Sequence, residues 1–535
     1  MTKDLVHHYL DRSAKLFPKK IAVTDGRTSL TFGELALLSD QLGYFLIDLG
    51  ISQDKRVVYY LKRDLDCIVS TVGILKSGAA YIPVDQKTPL ERWKQIIEDA
   101  APDAIICNAA TLEEAIQRIS LLNIQPALIC LTPRGELVTS REKVFCLEEI
   151  MSAHSTLTSD LRSDDVAYVL FTSGSTGVPK GVMVTHANIR NYIDWAIQYF
   201  NITAEDRILG TAPFHFDMST FDIFCSLATG ATLCVATEGL LLFPEKLVQF
   251  IEYENITIWK GVSSLLMYMC RADVLRPKRM PDLRAIIFAG EPLAPQYLAK
   301  WMNTFPAKSF YNGYGPTEAT GVSLCYHVES IPETGQPIPI GSPCKGSKVI
   351  LIDENGRPVR QGEIGELCIS GICLAKGYLN DIEKTNKNFT PPPAECSTLG
   401  ERIYHTGDLV RQNEDGNYIF ISRKDHQIKW MGYRIELAEI ETNLMAHPDI
   451  KDTVVLLMDM NGTGLTELVA LFEAEEQVNT PVLSQFLEDR IPAYMVPKRF
   501  VQLSALPRND RGKIARDEIL KLYSRSQGVP DVKVG

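Results

Sequence analysis

No run of apolar residues in the chain reaches the length that spans a bilayer, and the opening MTKDLVHHYL carries acidic and histidine side chains where a signal peptide needs an apolar core. The expectation is a cytoplasmic protein with no membrane partner. Positive charge is also in deficit: 55 Lys and Arg stand against 66 Asp and Glu, a formal net charge of −11. A phosphate-contacting surface needs a positive face, so this balance argues against a nucleic-acid partner. Metal-ligand cysteine spacing is missing, because the twelve cysteines are scattered and the nearest pair, Cys368 and Cys373, falls in what reads as strand and turn. Reduced, structural thiols are expected. Neither GxxxxGK[ST] nor GxGxxG opens any helical segment, which sets aside the common P-loop NTPases and the dinucleotide dehydrogenases. There is no internal repeat or low-complexity tract, and the one proline cluster, Pro391 to Pro393, suits a surface loop.

What is present is an ordinary globular composition, 45% hydrophobic and 23% charged, over 535 residues, too long for one core. From about Ile21 to Phe250, strand-like runs such as RVVYYL, AAYIPV, DAIICN and VAYVLF alternate with segments of helical period. That alternation predicts parallel α/β layers. After Gly341 the texture changes to short alternating strands, SKVILIDENGRPV, GELCISG and DGNYIFISRK, with turn signals at Asn355-Gly356 and Asp415-Gly416. Beyond Asp425, a helix over 437–445, a strand at DTVVLLM and a helix over 481–489 predict a compact α+β unit.

The segment VLFTSGSTGVPKG, Val169 to Gly181, sets a β-type run before a Ser/Thr/Gly loop that closes on Lys180. Hydroxyls, unhindered backbone N–H groups and a lysine suit a polyphosphate. The alternative is a Ser/Gly-rich surface turn. The loop has company in order along the chain: LTFGEL from Leu30, LKSGAAYIPVD from Leu75, FDMSTFDIF from Phe216, NGYGPTE from Asn312, GELCISG from Gly365, YHTGDLVR from Tyr404, RKDHQIKWMGYRIELAEIE from Arg423 and RNDRGKIAR from Arg508. Together these motifs resemble the successive cores of the adenylate-forming superfamily, which includes acyl-CoA synthetases, luciferases and the adenylation domains of non-ribosomal peptide synthetases.

The resemblance covers roughly positions 20 to 516. It implies a large N-terminal domain of α/β subdomains with a small β-barrel-like subdomain, 1–424, and a small mobile α+β C-terminal domain, 425–535. It further implies ATP and Mg²⁺ as cofactors and a set of nucleotide contacts. Thr172, Ser173, Gly174, Ser175, Thr176, Gly177 and Lys180 would hold the β- and γ-phosphates. Tyr314 would stack on adenine, with Gly290, Asn312 and Gly315 around the nucleotide. Asp408 and Arg423 would hold the ribose, and Glu318 with Thr317 would organise Mg²⁺ and the α-phosphate. Lys513 would bridge substrate carboxylate and nucleotide, and Asp425 would be the hinge about which the C-terminal domain turns between half-reactions. Each has a plainer alternative; Asp408, after a glycine at a strand end, could be a turn former, and Lys513 an exposed lysine.

Asp217 matches the aspartate that pairs with the substrate ammonium in amino-acid-activating members, the alternative being a helix N-cap. The matching pocket positions are Asp217, Met218, Phe221, Lys260, Ile287, Ala289, Gly313, Gly321, Val322 and Lys513. This is a small-walled, largely apolar set, for which L-proline is the leading candidate. Lys260 is discordant: turned inward it favours an acidic substrate, turned outward it snorkels to solvent. The chain runs 19 residues past Arg516 with no carrier-protein serine motif, so a phosphopantetheinylated carrier protein in trans is the expected thiol partner, with coenzyme A as competitor. Two departures bear on that partner: Ser422 stands where a glycine is usual, and KWMGYR replaces a more basic run.

Overall fold

The computed structural model describes residues 5–137, 144–154, 156, 161–174, 177–331, 336–425, 427–459, 466–508, 514–516, 518 and 519. The chain divides into two compact units: Met1–Gln86, Asp99–Phe171 and Gly181–Ile421 form the first, while Lys87–Glu98, Thr172–Lys180 and Ser422–Gly535 form the second.

The first unit is built on two mostly parallel sheets. In one, eight strands run in the order Gly377–Tyr378, Lys180–Thr185, Val166–Thr172, Ala80–Asp85, Arg56–Leu61, Ala104–Cys107, Ala127–Cys130 and Val144–Phe145. In the other, nine strands are ordered Ser342–Pro343, Leu324–Val328, Ser309–Tyr314, Ala285–Ala289, Ile258–Val262, Arg207–Gly210, Thr232–Val235, Ile21–Thr24 and Ser29–Thr31. Continuous β-branched and aromatic runs such as RVVYYL are buried along nearly their whole length, as strands covered by helices on both faces must be. The helix Leu65–Ser77 is likewise buried at almost every residue. Apolar side chains of both sheets, Val57 and Ala104 from one and Ile208 and Leu233 from the other, join a single core.

The predicted short strands after Gly341 form a five-stranded antiparallel sheet from Ser347–Ile352, Ile364–Gly371, Ile403–Gln412, Phe389–Thr390 and Tyr418–Arg423. The first turn signal acts as read, with Asp353 Oδ1 accepting from the N–H groups of Asn355 and Arg357, both at 2.8 Å.

In the second unit the hairpin Gln427–Trp430 and Tyr433–Glu436 precedes the helix Leu437–Met445, a sheet of Asp452–Asp459, Thr466–Glu473 and Arg499–Leu503, and the helix Thr480–Glu488. Trp430, Ile435, Ile440, Phe472 and Leu483 make its core. Within the unit, Arg92 pairs with the buried carboxylate of Glu439. None of the twelve cysteines forms a disulfide; eleven are buried and Cys396 partly so. Among the described residues no helix is long and apolar enough to cross a membrane.

Candidate active site

In the first unit, Tyr314 ends the strand Ser309–Tyr314 and donates its hydroxyl to Asp408 Oδ2. Asp408 is 2% exposed inside the strand Ile403–Gln412, with its N–H bonded to Thr406 Oγ1 at 3.0 Å. It is a buried strand residue, not the turn former its glycine neighbour suggested. Asn312 holds the carbonyl of Pro339 at 2.8 Å. Gly315 is forced by contact: a Cβ there would lie 2.0 Å from the carbonyl oxygen of Gly321. Gly290 adopts φ +91° directly after the strand Ala285–Ala289. Thr317 opens the single turn Thr317–Ala319, which carries Glu318 into the interior at 0% exposure. There Glu318 Oε1 accepts from the Tyr378 hydroxyl at 2.8 Å.

The amino-acid positions come from three neighbouring strands, one helix and the loop residues Gly321 and Val322 before the strand Leu324–Val328. Lys260 is the register partner of Ile287, and Ala289 of Gly313, so these residues lie side by side on adjacent strands. A Cβ on Gly313 would meet Val322 Cγ2 at 3.2 Å and Ala289 Cβ at 3.5 Å, and one on Gly321 would meet the Tyr192 ring at 3.0 Å. Asp217 stands at the N-terminus of the helix Met218–Thr229 but makes no side-chain capping bond; Thr220 instead bonds its backbone carbonyl. Tyr168 and Tyr192, both buried, lie within electrostatic reach of that carboxylate, and among the described residues their hydroxyls have no hydrogen-bond partner.

Lys260 does not snorkel. It is 1% exposed, donates to the Met218 carbonyl at 3.3 Å and lies over the rings of Phe221 and Tyr192, 5.5 and 5.9 Å from their centroids. Burial lowers its pKa against the opposing charges of Asp222 and Asp217. Burial likewise pushes the Asp222 carboxyl up to about 8, and Arg63 down to about 10. Of the two directions open to Lys260, the inward one is taken: its ammonium is buried inside the fold.

In the second unit, Thr172 ends its strand with a buried Oγ1 that has no hydrogen-bond partner among the described residues, and Lys180 opens the next strand. A Cβ on Gly174 would meet the Val178 carbonyl oxygen at 2.0 Å, and one on Gly177 would touch Thr442 at 3.1 Å. Ser173 Oγ is bonded at 2.8 Å to the carbonyl of Arg434. Arg423 Nε and Nη2 hold Asp425 at 2.6 and 2.8 Å. Burial would raise the Asp425 carboxyl, but this pairing holds it below the usual carboxylate range. The departure at KWMGYR takes the form of a tight turn, with Met431 at φ 52° and half exposed, while Trp430 is buried. Ser175, Thr176 and Lys513 lie outside the described residues.

The loop fits a polyphosphate: an orphaned buried hydroxyl, a lysine and glycines that admit no side chain. The buried carboxylate of Glu318 suits an ion that takes one carboxylate and completes its shell with phosphate oxygens and water, as Mg²⁺ does. Three residues went unread in the sequence: Tyr192, Asp222 and Tyr378. Tyr192 looks like core in a helical pattern, and Tyr378 carries no local signal for a partner 60 residues away.

A family model described as AMP-binding enzyme matches residues 10–379. The chain belongs to that family. A second model, AMP-binding enzyme C-terminal domain, matches residues 439–513. The protein is accordingly an adenylating ligase that uses ATP. It is 32% identical over 514 residues to an L-proline--[L-prolyl-carrier protein] ligase of Pseudomonas fluorescens, covering 96% of this chain and 98% of that protein. It is 34% identical over 511 residues to tyrocidine synthase 3 of Brevibacillus parabrevis, covering 96% of this chain but only 7% of that relative's length. The fold matches the Vibrio cholerae adenylation domain AlmE in complex with glycyl-adenosine-5'-phosphate, with a TM-score of 0.85 at 24% identity over 98% of each chain.

Proposed function

We propose that the protein activates the carboxylate of an amino acid as its aminoacyl-AMP and then passes the acyl group to the phosphopantetheine thiol of a separate carrier protein in the cytosol. What carries this reading is the match to the AMP-binding enzyme family together with Asp217, which leads the helix Met218–Thr229 within electrostatic reach of Lys260, and the small walls of Gly313, Ala289 and Val322, which suit a compact substrate. A carboxylate placed there can pair with the ammonium of an amino acid.

In the first step a substrate carboxylate oxygen attacks the α-phosphorus, a P–O bond forms, and the bond to the β-phosphate breaks as pyrophosphate leaves with the electron pair. Negative charge gathers on the phosphates, so positioning and neutralisation dominate. Thr172, Ser173, Gly174, Ser175, Thr176, Gly177 and Lys180 hold the departing phosphates; Tyr314, Gly290, Asn312, Gly315, Asp408 and Arg423 orient the nucleoside; Lys513 bridges the two reactants. Bound through Glu318, with Thr317 beside it, Mg²⁺ would supply charge neutralisation. In the second step the thiol sulfur attacks the acyl carbon, the thiol proton is lost, and AMP departs. The chain from residue 425 onward turns about Asp425 between the steps.

L-Proline remains the first substrate to try, since the stand-alone relative is named for it. The burial of Lys260 favours a second reading, an amino acid whose side chain carries an acceptor. The test is ATP–pyrophosphate exchange with each common amino acid, with proline analogues and with carboxylic acids lacking an amino group. Amino-acid-dependent exchange is expected; exchange driven only by non-amino acids would replace this reading with an acyl- or aryl-CoA synthetase.

A further inference from the structure

The strand Ile403–Gln412 does not run straight past its neighbour Ile364–Gly371. Leu409 pairs with Glu366 and His405 with Cys368, so the single residue Leu367 faces three, Thr406, Gly407 and Asp408. This is a bulge, and a bulge re-aims a side chain away from the line of its strand. Gly407 stands at its centre with φ +72°, a backbone that glycine adopts freely. Asp408 follows it and meets the Tyr314 hydroxyl.

Backbone groups that a bulge takes out of the ladder must find other partners. Two side chains supply them here. Thr406 Oγ1 accepts from the Asp408 N–H at 3.0 Å and donates to the Leu367 carbonyl at 2.7 Å. Glu366, 8% exposed, reaches in from the neighbouring strand, and its Oε1 accepts from the Gly407 N–H at 3.1 Å. Its Oε2 lies 3.6 Å from His405 Nδ1, and His405 Nε2 lies 2.8 Å from Thr390 Oγ1. The row Glu366, His405 and Thr390 thus crosses three neighbouring strands at the bulge. A buried carboxylate is costly unless it is hydrogen-bonded, and an N–H bond to a charged acceptor is about twice as strong as one between neutral groups. Glu366 and the bulge therefore hold each other in place.

Resting on the reading of Asp408 as the ribose partner, we infer that Glu366 is a further positioning residue for the nucleotide: by holding the Gly407 N–H it fixes the direction in which the Asp408 carboxylate meets the sugar hydroxyls. His405 steadies Glu366 in turn. Loss of the bond lets the bulge relax and misaligns Asp408, which weakens recognition of the ribose and leaves the groups around the α-phosphate as they were.

The experiment is pyrophosphate exchange by the full chain at saturating amino acid, with ATP, 2′-deoxy-ATP and 3′-deoxy-ATP each varied, alongside thermal melts. Glu366→Leu keeps most of the volume but cannot accept a hydrogen bond. It should raise KM for ATP by about tenfold or more, change kcat by less than about threefold, and shrink the preference for ATP over the two deoxynucleotides toward that of Asp408→Ala. Glu366→Gln keeps an oxygen for the Gly407 N–H and should recover most of both quantities. His405→Leu leaves the carboxylate but removes the ring facing Oε2; it should shift the same ratio in the same direction, and it serves as the test if Glu366→Leu does not fold. A folded variant that loses kcat alone, with KM and the ATP preference unchanged, would overturn the inference, as would a loss in Glu366→Gln as large as in Glu366→Leu. An ATP preference undiminished in Asp408→Ala would instead overturn the reading of Asp408, and the inference with it.

Discussion

Replacing Tyr378 with phenylalanine removes one oxygen and keeps the ring, so it isolates what the phenol does for Glu318. The hydroxyl lies 2.8 Å from Glu318 Oε1, and both residues are buried, at 2% and 0% exposure. Tyr378 is itself fixed, its N–H bonded to Thr385 Oγ1 at 2.9 Å and its strand paired with Lys180–Thr185, which follows the phosphate loop. A hydrogen bond to a carboxylate contributes about 1.5–3 kcal/mol when its loss leaves the acceptor buried. If that energy holds the carboxylate in its metal-binding orientation, Tyr378→Phe lowers the adenylation rate by roughly 10- to 150-fold. The assay is pyrophosphate exchange titrated with Mg²⁺, alongside a thermal melt. The loss should be largest at limiting Mg²⁺ and shrink as the ion is raised, because a misoriented ligand weakens metal binding. Exchange within about twofold of wild type at every Mg²⁺ concentration, with the melt unchanged, would refute the reasoning.

Lys513→Ala should reduce aminoacyl-AMP formation by at least about two orders of magnitude, the scale of removing one preorganised charge-stabilising group; near-normal pyrophosphate exchange would overturn its assignment. Asp425→Pro should break the bonds to Arg423 and to the Gln427 N–H and slow thioester formation more than adenylation; equal losses in the two half-reactions would count against a hinge. Asp206 is raised by burial, but its bonds from Arg284, Thr257 and Thr203 outweigh this and hold its carboxyl below the usual range. A depressed pKa stabilises the fold above the unfolded value of about 3.9 and is lost as pH falls through the folded one. Asp206→Asn should therefore cost about 1–2 kcal/mol in urea unfolding at pH 7, and the gap to wild type should close below about pH 4.

Local features of the fold were legible because local physics decides them. RVVYYL and DTVVLLM are strands, and the helix over 437–445 has the bounds its apolar spacing predicts. Much of the candidate site was legible too, since glycines that tolerate no Cβ and a loop of hydroxyls leave a sequence trace. What stayed hidden were partnerships across the chain: Tyr314 with Asp408 across 94 residues, and Glu318 with Tyr378 across 60. The direction of Lys260 was unreadable for a further reason. Its strand, Ile258–Val262, is buried along nearly its whole length, and a strand covered on both faces has no polar alternation to say which way a side chain points. Asp222 was masked by its company, sitting in a motif whose first aspartate already had a role.

The most direct test compares pyrophosphate exchange driven by the preferred amino acid with that driven by its analogue lacking the α-amino group, in wild type and in Asp217→Ala. If Asp217 pairs with the substrate ammonium, the wild type discriminates by at least about a hundredfold, the scale of losing a charge-assisted hydrogen bond at a partly buried carboxylate, and the variant loses most of that discrimination. Equal exchange with both compounds, or undiminished discrimination in the variant, would contradict the account.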